Sequence, residues 1–187
     1  MATNSQFRQL KNRFVLFQPN KDDVAEAFRR GQELGIPPNS YTRGAGRMTG
    51  FLGEVAFGKY AAAAEYVGGQ CYTHDYVWGK KTVDIKSKTC TTPPKLHFTA
   101  SVNSSANKEL SADIYFFTRV HKDFSKVWLL GWTSRYHVTK AKNFKKKGES
   151  DKDGFTYLCD GSHLPIRALR RPDSFESSHR CRKKKKG

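Results

Sequence analysis

The stretch HDYVWGKKTVDIKSK, residues 74–88, decides the fold of this chain because it predicts a tight β-hairpin. Two β-compatible runs flank Gly79 and Lys80, and glycine in the first central position suits a two-residue type II′ turn. With that turn, Trp78 pairs with Lys81, and every cross-strand pair that follows has a fixed register. The register therefore determines which side chains of the two strands face each other.

The same register predicts two carboxylates on one face of the hairpin. Asp75 would lie directly opposite Asp84, with Cβ atoms about 4.5–5.5 Å apart, and Lys86 would follow on that face. Opposed aspartates repel each other, whereas a divalent cation held between them reverses the sign of the interaction. The alternative is a solvated strand face on which Asp84 and Lys86 form a surface ion pair.

The charge of the chain indicates a polyanionic partner. Its 187 residues include 34 Lys and Arg against 17 Asp and Glu, a formal net charge of +17, which favours nucleic acid. No run of about 20 apolar residues predicts a spanning helix, so no membrane partner is expected. The N-terminus lacks the apolar core of a signal peptide, so we expect a cytoplasmic protein, or a nuclear one if the source is eukaryotic.

Periodicity predicts two helices followed by a sheet. Asn20 is a candidate N-cap for a helix over residues 21–34, and an Ala-rich second helix is expected over residues 49–67. Strands are then expected over residues 70–78, 81–89, 96–102, 113–120 and 126–132. A short helix or irregular crossover is expected between the third and fourth of these strands, over residues 103–112, and a basic helix over residues 134–144.

The second helix supplies a third carboxylate. Glu54 follows the stretch Gly50 to Gly53 and is expected near the start of the helix, leaning toward the aspartates of the hairpin. The alternative is a first-turn glutamate that only favours the helix N-terminus electrostatically. The combination of a helix Glu, a strand Asp and an Asp-x-Lys motif is more specific than any one of its parts.

That combination, Glu54, Asp75 and Asp84-Ile85-Lys86, resembles the PD-(D/E)xK nuclease superfamily, in particular its restriction-endonuclease-like and Holliday-junction-resolvase-like members. The resemblance runs over about residues 47–88. It implies an α/β (α+β) fold with a restriction-endonuclease-like αβββαβ core, in which helices flank a mixed central sheet. We expect a single nuclease domain over residues 1–179, with its core at about 47–133 and a basic tail at 180–187.

The resemblance also implies a function, a Mg²⁺-dependent DNA endonuclease in which Mn²⁺ can substitute. Glu54, Asp75, Asp84 and the backbone carbonyl of Ile85 would hold the metal, and Lys86 would be the catalytic base or charge stabiliser. Because cleavage of both strands needs two active sites, a homodimer is also expected. The alternatives are a noncatalytic basic nucleic-acid-binding module and an RNase on the same fold.

Three departures from the family pattern are visible, one of which is a short crossover segment. His74 stands where the name-giving proline often stands, and the second acid of the motif is Asp84 where Glu is commoner. None of the three removes a metal ligand.

Basic residues around these motifs are candidates for phosphate contacts. Arg43 and Arg47 precede the Glu54 helix, Lys80 and Lys81 lie at the hairpin tip, and Lys88 follows the Asp-x-Lys motif. Such contacts are nonspecific and make affinity dependent on salt.

The four cysteines lack a close CxxC pair, so reduced thiols are expected. A zinc site formed by Cys159, His163, His179 and Cys181 is the alternative, although its spacings are unlike the short pairs of zinc modules.

Overall fold

A computed structural model describes most of the chain. The described residues are 6–11, 13–34, 46–68, 71, 73–103, 110–139, 144–150, 154 and 156–175. Arg43, His179, Cys181, the tail at 180–187 and most of the expected crossover lie outside them.

The described residues form a mixed α+β structure around a seven-stranded sheet. Its strands are β1 (Phe7–Gln9), β2 (Val15–Phe17), β3 (Glu65–Tyr66), β4 (Tyr76–Trp78), β5 (Lys81–Cys90), β7 (Ile114–His121) and β8 (Val127–Ser134). Their order is β1-β2-β8-β7-β5-β4-β3. Only β5 and β7 pair in parallel; the other neighbours are antiparallel.

Two helices pack together on one face of this sheet, α1 (Lys21–Leu34) and α2 (Arg47–Tyr60). The expected N-cap of α1 is confirmed: Asn20 Oδ1 accepts the backbone N–H of Asp23 at 2.9 Å, and Asp23 Oδ2 accepts the backbone N–H of Asn20 at 2.9 Å. This reciprocal pair satisfies two donors at the helix start. Apolar side chains of α2 then pack against β5, β7 and β8 in one core.

A three-stranded sheet covers the other face. Its strands are β6 (Thr99–Asn103), β9 (Phe144–Lys145) and β10 (Gly161–Pro165), in the order β6-β10-β9. Ala100 and Val102 of β6 pack with Tyr115 and Phe117 of β7 in a second core. The central sheet is thus buried on both faces, as expected where it contains a parallel pair.

The second helix ends earlier than the expected range of residues 49–67. α2 ends at Tyr60, and two residues near the end of the expected helix form β3 instead. Tyr66 of β3 packs its ring 5.2 Å from that of Tyr76, and Arg30 lies 3.7 Å above its centroid. These contacts and the pairing with β4 outweigh the high helix propensity of the Ala-rich segment, since tertiary contacts override propensity.

The expected third strand is also misplaced. Residues 99–103 form β6 of the second sheet, and the place beside β5 is taken by β7. β7 is buried along nearly its whole length, so it gains more from a central position than the shorter β6. The expected helix at 134–144 is reduced among described residues to α3 (Arg135–Thr139).

Candidate functional site

The turn on which the hairpin argument depends is confirmed. Trp78 pairs with Lys81, Val77 with Thr82 and Tyr76 with Val83. Gly79 has a φ of 62°, the left-handed value that a type II′ turn requires at its first central position. The predicted register therefore holds through the three residues of β4.

Asp75 is not part of the ladder, and this corrects the expected pair with Asp84. Its backbone N–H donates to the carbonyl of Val83 at 3.0 Å, although Val83 already pairs with Tyr76. Its carboxylate Oδ2 accepts the backbone N–H of Ile85 at 2.7 Å. The Asp75 side chain thus takes the N–H of Ile85, which a longer β4 would have bonded through its backbone. The pairing of β4 with β5 therefore stops at Tyr76.

Asp84 and Lys86 share the face of β5 that points away from α2. Lys86 Nζ lies 2.7 Å from Asp84 Oδ2, and the Lys86 side chain is about one-third exposed. Val83 and Ile85 point the other way, into the core formed with α2. The expected Asp-x-Lys alternation on a strand is therefore confirmed.

Glu54 lies in the middle of α2, not in its first turn, so the electrostatic capping alternative does not describe it. The preceding residue brings the helix close to the sheet: a Cβ on Gly53 would be 2.0 Å from Ser87 Oγ and 2.6 Å from Thr118 Oγ1. Only glycine allows this approach. Glu54, the next residue of the helix, is consequently buried and is only 8% exposed.

The carboxylate of Glu54 is not fully satisfied. Its Oε2 atom is buried and has no hydrogen-bond partner. Burial raises the pKa of Glu54 to about 7, and Asp84 raises it too, while Arg30 and a hydrogen bond from Tyr66 lower it. Burying a carboxylate oxygen without a hydrogen-bond donor costs free energy. A cation bound to that oxygen would offset the cost.

Asp75 and Lys86 titrate under the influence of the same neighbours. Burial raises the pKa of Asp75 well above its usual range, and the charges of Glu54 and Asp84 add to the increase. Burial lowers the pKa of Lys86, but the carboxylates of Asp84 and Asp75 outweigh it and raise the pKa overall. The predicted site residues therefore act on one another electrostatically.

Asp75 bonds to β5 beyond Val83, close to Asp84 and Lys86 on that strand, and the charges of Glu54, Asp75 and Asp84 act on one another. Among the described residues, β4 pairs with β5 only as far as Val83, which leaves that edge open. Glu54 belongs to α2, Asp84 lies on the face of β5 that points away from α2, and Asp75 bonds to the edge through the N–H of Ile85. The carbonyl of Ile85 points to this edge as well, because the N–H of Ile85 is the group that Asp75 accepts.

No group of three or more His, Cys, Asp or Glu residues that could hold a metal ion is assembled among the described residues. Each of the three carboxylates has a protein donor: Lys86 pairs with Asp84, Ile85 donates to Asp75, and Tyr66 donates to Glu54. The oxygen-rich donor set nevertheless fits a hard cation such as Mg²⁺, and the unpartnered oxygen of Glu54 is an available ligand.

Sequence reasoning missed the cation that faces Glu54. Arg30 of α1 lowers the pKa of Glu54, and its Nε donates to Glu26 at 2.8 Å. Two tyrosines also bond to Glu54. The Tyr76 hydroxyl donates to its backbone carbonyl at 2.8 Å, and Tyr66 donates a hydrogen bond to its side chain. No local signal identifies Arg30, because a basic residue on an amphipathic helix is usually solvated.

The candidate phosphate contacts differ in their surroundings. Arg47 NH1 donates to the carbonyl of Gly31 at 2.9 Å and so links α2 to α1. Lys81 Nζ lies 3.2 Å from Asp113 Oδ1, and Lys80 is exposed at the turn. Lys88 donates to Ser101 Oγ at 2.7 Å.

The residues of the alternative zinc site are only partly described. Cys159 is a free, partly buried thiol. His163 Nδ1 lies 2.9 Å from Ser101 Oγ, and His179 and Cys181 are outside the described residues.

None of the described helices is long and apolar enough to cross a membrane. Comparison with known protein families finds no match, and comparison with curated proteins finds none either.

Proposed function

We propose that this protein is a metal-dependent endonuclease that hydrolyses phosphodiester bonds of DNA at the open edge of β5. The observation that carries the proposal is the buried, unpartnered Oε2 of Glu54, beside two further carboxylates whose charges interact with it. A purely structural edge gains nothing from this arrangement, because like charges that are partly buried destabilise the fold.

Glu54, Asp75, Asp84 and the carbonyl of Ile85 would hold Mg²⁺ or Mn²⁺. When bound, the metal supplies Lewis-acid stabilisation of phosphoryl charge and lowers the pKa of a coordinated water. The carboxylates place negative charge at the edge of β5 and attract the cation. Asp75 is fixed for this role by the backbone of Ile85, 2.7 Å away.

Lys86 would stabilise the negative charge that develops on the phosphate. The raised pKa of Lys86, caused by Asp84 and Asp75 against the effect of burial, keeps its ammonium protonated at neutral pH. A protonated amine donates hydrogen bonds and does not accept a proton. This favours the charge-stabilising role over the role of general base.

The order of the elements around the site supports the proposal. α2, which bears Glu54, is followed by the antiparallel strands β3, β4 and β5 and then by β7 parallel to β5. This order resembles the helix, three-strand meander and parallel fourth strand of the restriction-endonuclease-like core. β6 of the second sheet lies in the connection before β7, where that core has a helix.

A cleavage assay tests the proposal. Plasmid, branched and single-stranded DNA, with an RNA control, are incubated with Mg²⁺ or Mn²⁺ and with wild type, Asp84→Ala or Lys86→Ala. Each variant should lose about a hundredfold or more in rate. Asp22→Ala, which removes an exposed carboxylate of α1, should match wild type. Equal rates for wild type and both site variants would refute the assignment, and cleavage of RNA alone would make the protein an RNase.

A noncatalytic nucleic-acid-binding module is the second candidate, and the Asp84–Lys86 ion pair favours it because the pair neutralises one carboxylate without a metal. That function predicts DNA binding that is unchanged by EDTA and no cleavage under any metal condition.

A homodimer, which would bring two such edges to the two strands of a duplex, is proposed with the endonuclease only. Sedimentation of the protein with and without duplex DNA measures it.

A further inference from the structure

A second site lies beside the open edge, on the face of β5 that points away from α2. It is a cavity of about 300 Å³ between β5 and β7 on one side and β6 on the other. Its polar lining includes three cations, Lys86, Lys88 and Arg119, and the hydroxyl residues Thr99 and Ser101 of β6. Among the described lining residues there is no carboxylate, and with Lys86 paired to Asp84 the positive charge of the cavity comes from Lys88 and Arg119.

Hydrogen bonds organise this cavity from the second sheet. Lys88 Nζ donates to Ser101 Oγ at 2.7 Å, and Ser101 Oγ lies 2.9 Å from His163 Nδ1 of β10. Arg119 NH2 donates to the backbone carbonyl of Thr99 at 3.0 Å. Lys88 and Arg119 are therefore held in place by β6, whose Ser101 is in turn bonded to β10.

Two of the three cations, Lys88 and Arg119, have no carboxylate beside them among the described lining residues, whereas Lys86 is paired with Asp84. Burial, and then the charge of Arg119, lower the pKa of Lys88 to about 8. Burial also lowers the pKa of Arg119, and burial and Lys88 lower that of His163. Like charges gathered in a partly buried space are unfavourable unless an anion joins them. A bound anion would therefore stabilise this arrangement of cations.

We propose that this cavity binds a phosphate group of a nucleic-acid strand, next to the phosphodiester that reaches Asp84 and Lys86. Guanidinium, ammonium and hydroxyl donors are the groups that bind phosphate in proteins. Lys86 belongs both to the cavity lining and to the ion pair with Asp84, so the two sites are adjacent. The identity of the strand as DNA rests on the proposed function.

The phosphate has two sources, an internal phosphodiester or the 5′-terminal phosphate of a strand. The test measures binding of fluorescent duplex DNA in EDTA, where no cleavage occurs, with 5′-phosphorylated and 5′-hydroxyl ends. It compares wild type with Lys88→Gln and with Lys21→Gln, which removes one exposed charge from α1.

Lys88→Gln should weaken binding about tenfold and lower the slope of log K against log salt by about 1, whereas Lys21→Gln should change affinity less than about twofold. If the loss is equal for both kinds of end, the cavity takes an internal phosphodiester. If wild type prefers the phosphorylated end and Lys88→Gln abolishes that preference, it takes a terminal phosphate.

Equal effects of Lys88→Gln and Lys21→Gln would overturn the proposal. Lys88→Arg, which keeps the charge, should retain most of the affinity, and a loss equal to that of Lys88→Gln would contradict a phosphate contact. Because binding is measured without metal, a Lys88 effect in a protein that never cleaves DNA would refute the nuclease function and leave this site standing.

Discussion

Asp75 Oδ2 accepts the backbone N–H of Ile85 at 2.7 Å, and this bond joins a side chain of the site to the backbone of β5. It replaces the ladder bond that β4 would make if the strand continued. The carboxylate therefore has two functions, to satisfy a strand-edge donor and to place negative charge beside Glu54 and Asp84.

The two functions of Asp75 are separable by substitution. Asp75→Asn keeps an oxygen that accepts from Ile85 and loses the charge, whereas Asp75→Ala leaves the N–H of Ile85 without its partner. We expect Asp75→Ala to lower the free energy of unfolding by about 1–3 kcal/mol and Asp75→Asn to lower it much less. Urea unfolding in EDTA measures both values, and equal losses would show that the bond to Ile85 is not what matters.

The stability of the metal-free protein should depend on the protonation of Glu54. Burial raises the pKa of Glu54 from 4.5 to about 7, so between these values the folded state binds more protons than the unfolded state. The free energy of unfolding therefore falls as pH rises through this window, by roughly 3 kcal/mol at most.

Glu54→Gln should remove this part of the pH dependence and make the protein more stable than wild type at pH 8. Urea unfolding at pH 5 and pH 8 in EDTA checks it. Glu33→Gln, on the exposed surface of α1, is the control. An unchanged difference between the two pH values in Glu54→Gln would contradict the buried position of the carboxyl.

The approach of α2 to the sheet depends on Gly53. Gly53→Ala would place a Cβ 2.0 Å from Ser87 Oγ, so we expect a net destabilisation of about 1–3 kcal/mol and reduced cleavage as Glu54 is displaced. Gly50→Ala lies in the same helix and meets nothing within 4 Å. It should instead stabilise the protein by about 0.5–1 kcal/mol. Thermal unfolding compares the two, and a stabilised Gly53→Ala would contradict the close packing.

Arg30 should set how far the pKa of Glu54 rises. Its charge lowers that pKa, so Arg30→Gln should move the titration of Glu54 above about 7. The titration can be followed by the carboxyl ¹³C chemical shift in EDTA. Arg29→Gln removes a neighbouring arginine that also pairs with Glu26 but is largely exposed. It should leave the midpoint of Glu54 in place, and identical shifts in the two variants would indicate a general charge effect.

The sequence was sufficient for the features that depend on local chemistry. The glycine at position 79 predicts the turn and its register, and the alternation of Val83, Asp84, Ile85 and Lys86 predicts which side chains share a face. Asn20 predicts the start of α1. In each case a backbone or side-chain requirement within a few residues decides the outcome.

Features that depend on tertiary contacts were not predictable in this way. The pairing of β6 with β10 joins strands about 60 residues apart, and no periodicity indicates it. The bond from Ile85 to Asp75 ends the ladder one residue before the expected carboxylate pair. Arg30 of α1 acts on Glu54 only because the two helices pack together, and the cations around Ser101 gather only when the second sheet is in place.

Calorimetric titration of the protein with Mn²⁺ tests the central claim most directly. Wild type at pH 8 should bind Mn²⁺ at a site that disappears in Asp75→Asn, a variant expected to keep the bond to Ile85 and the fold, and that persists in Asp22→Ala. Mn²⁺ binding that is absent in wild type, or that is unchanged in Asp75→Asn, would contradict a metal site at the open edge of β5.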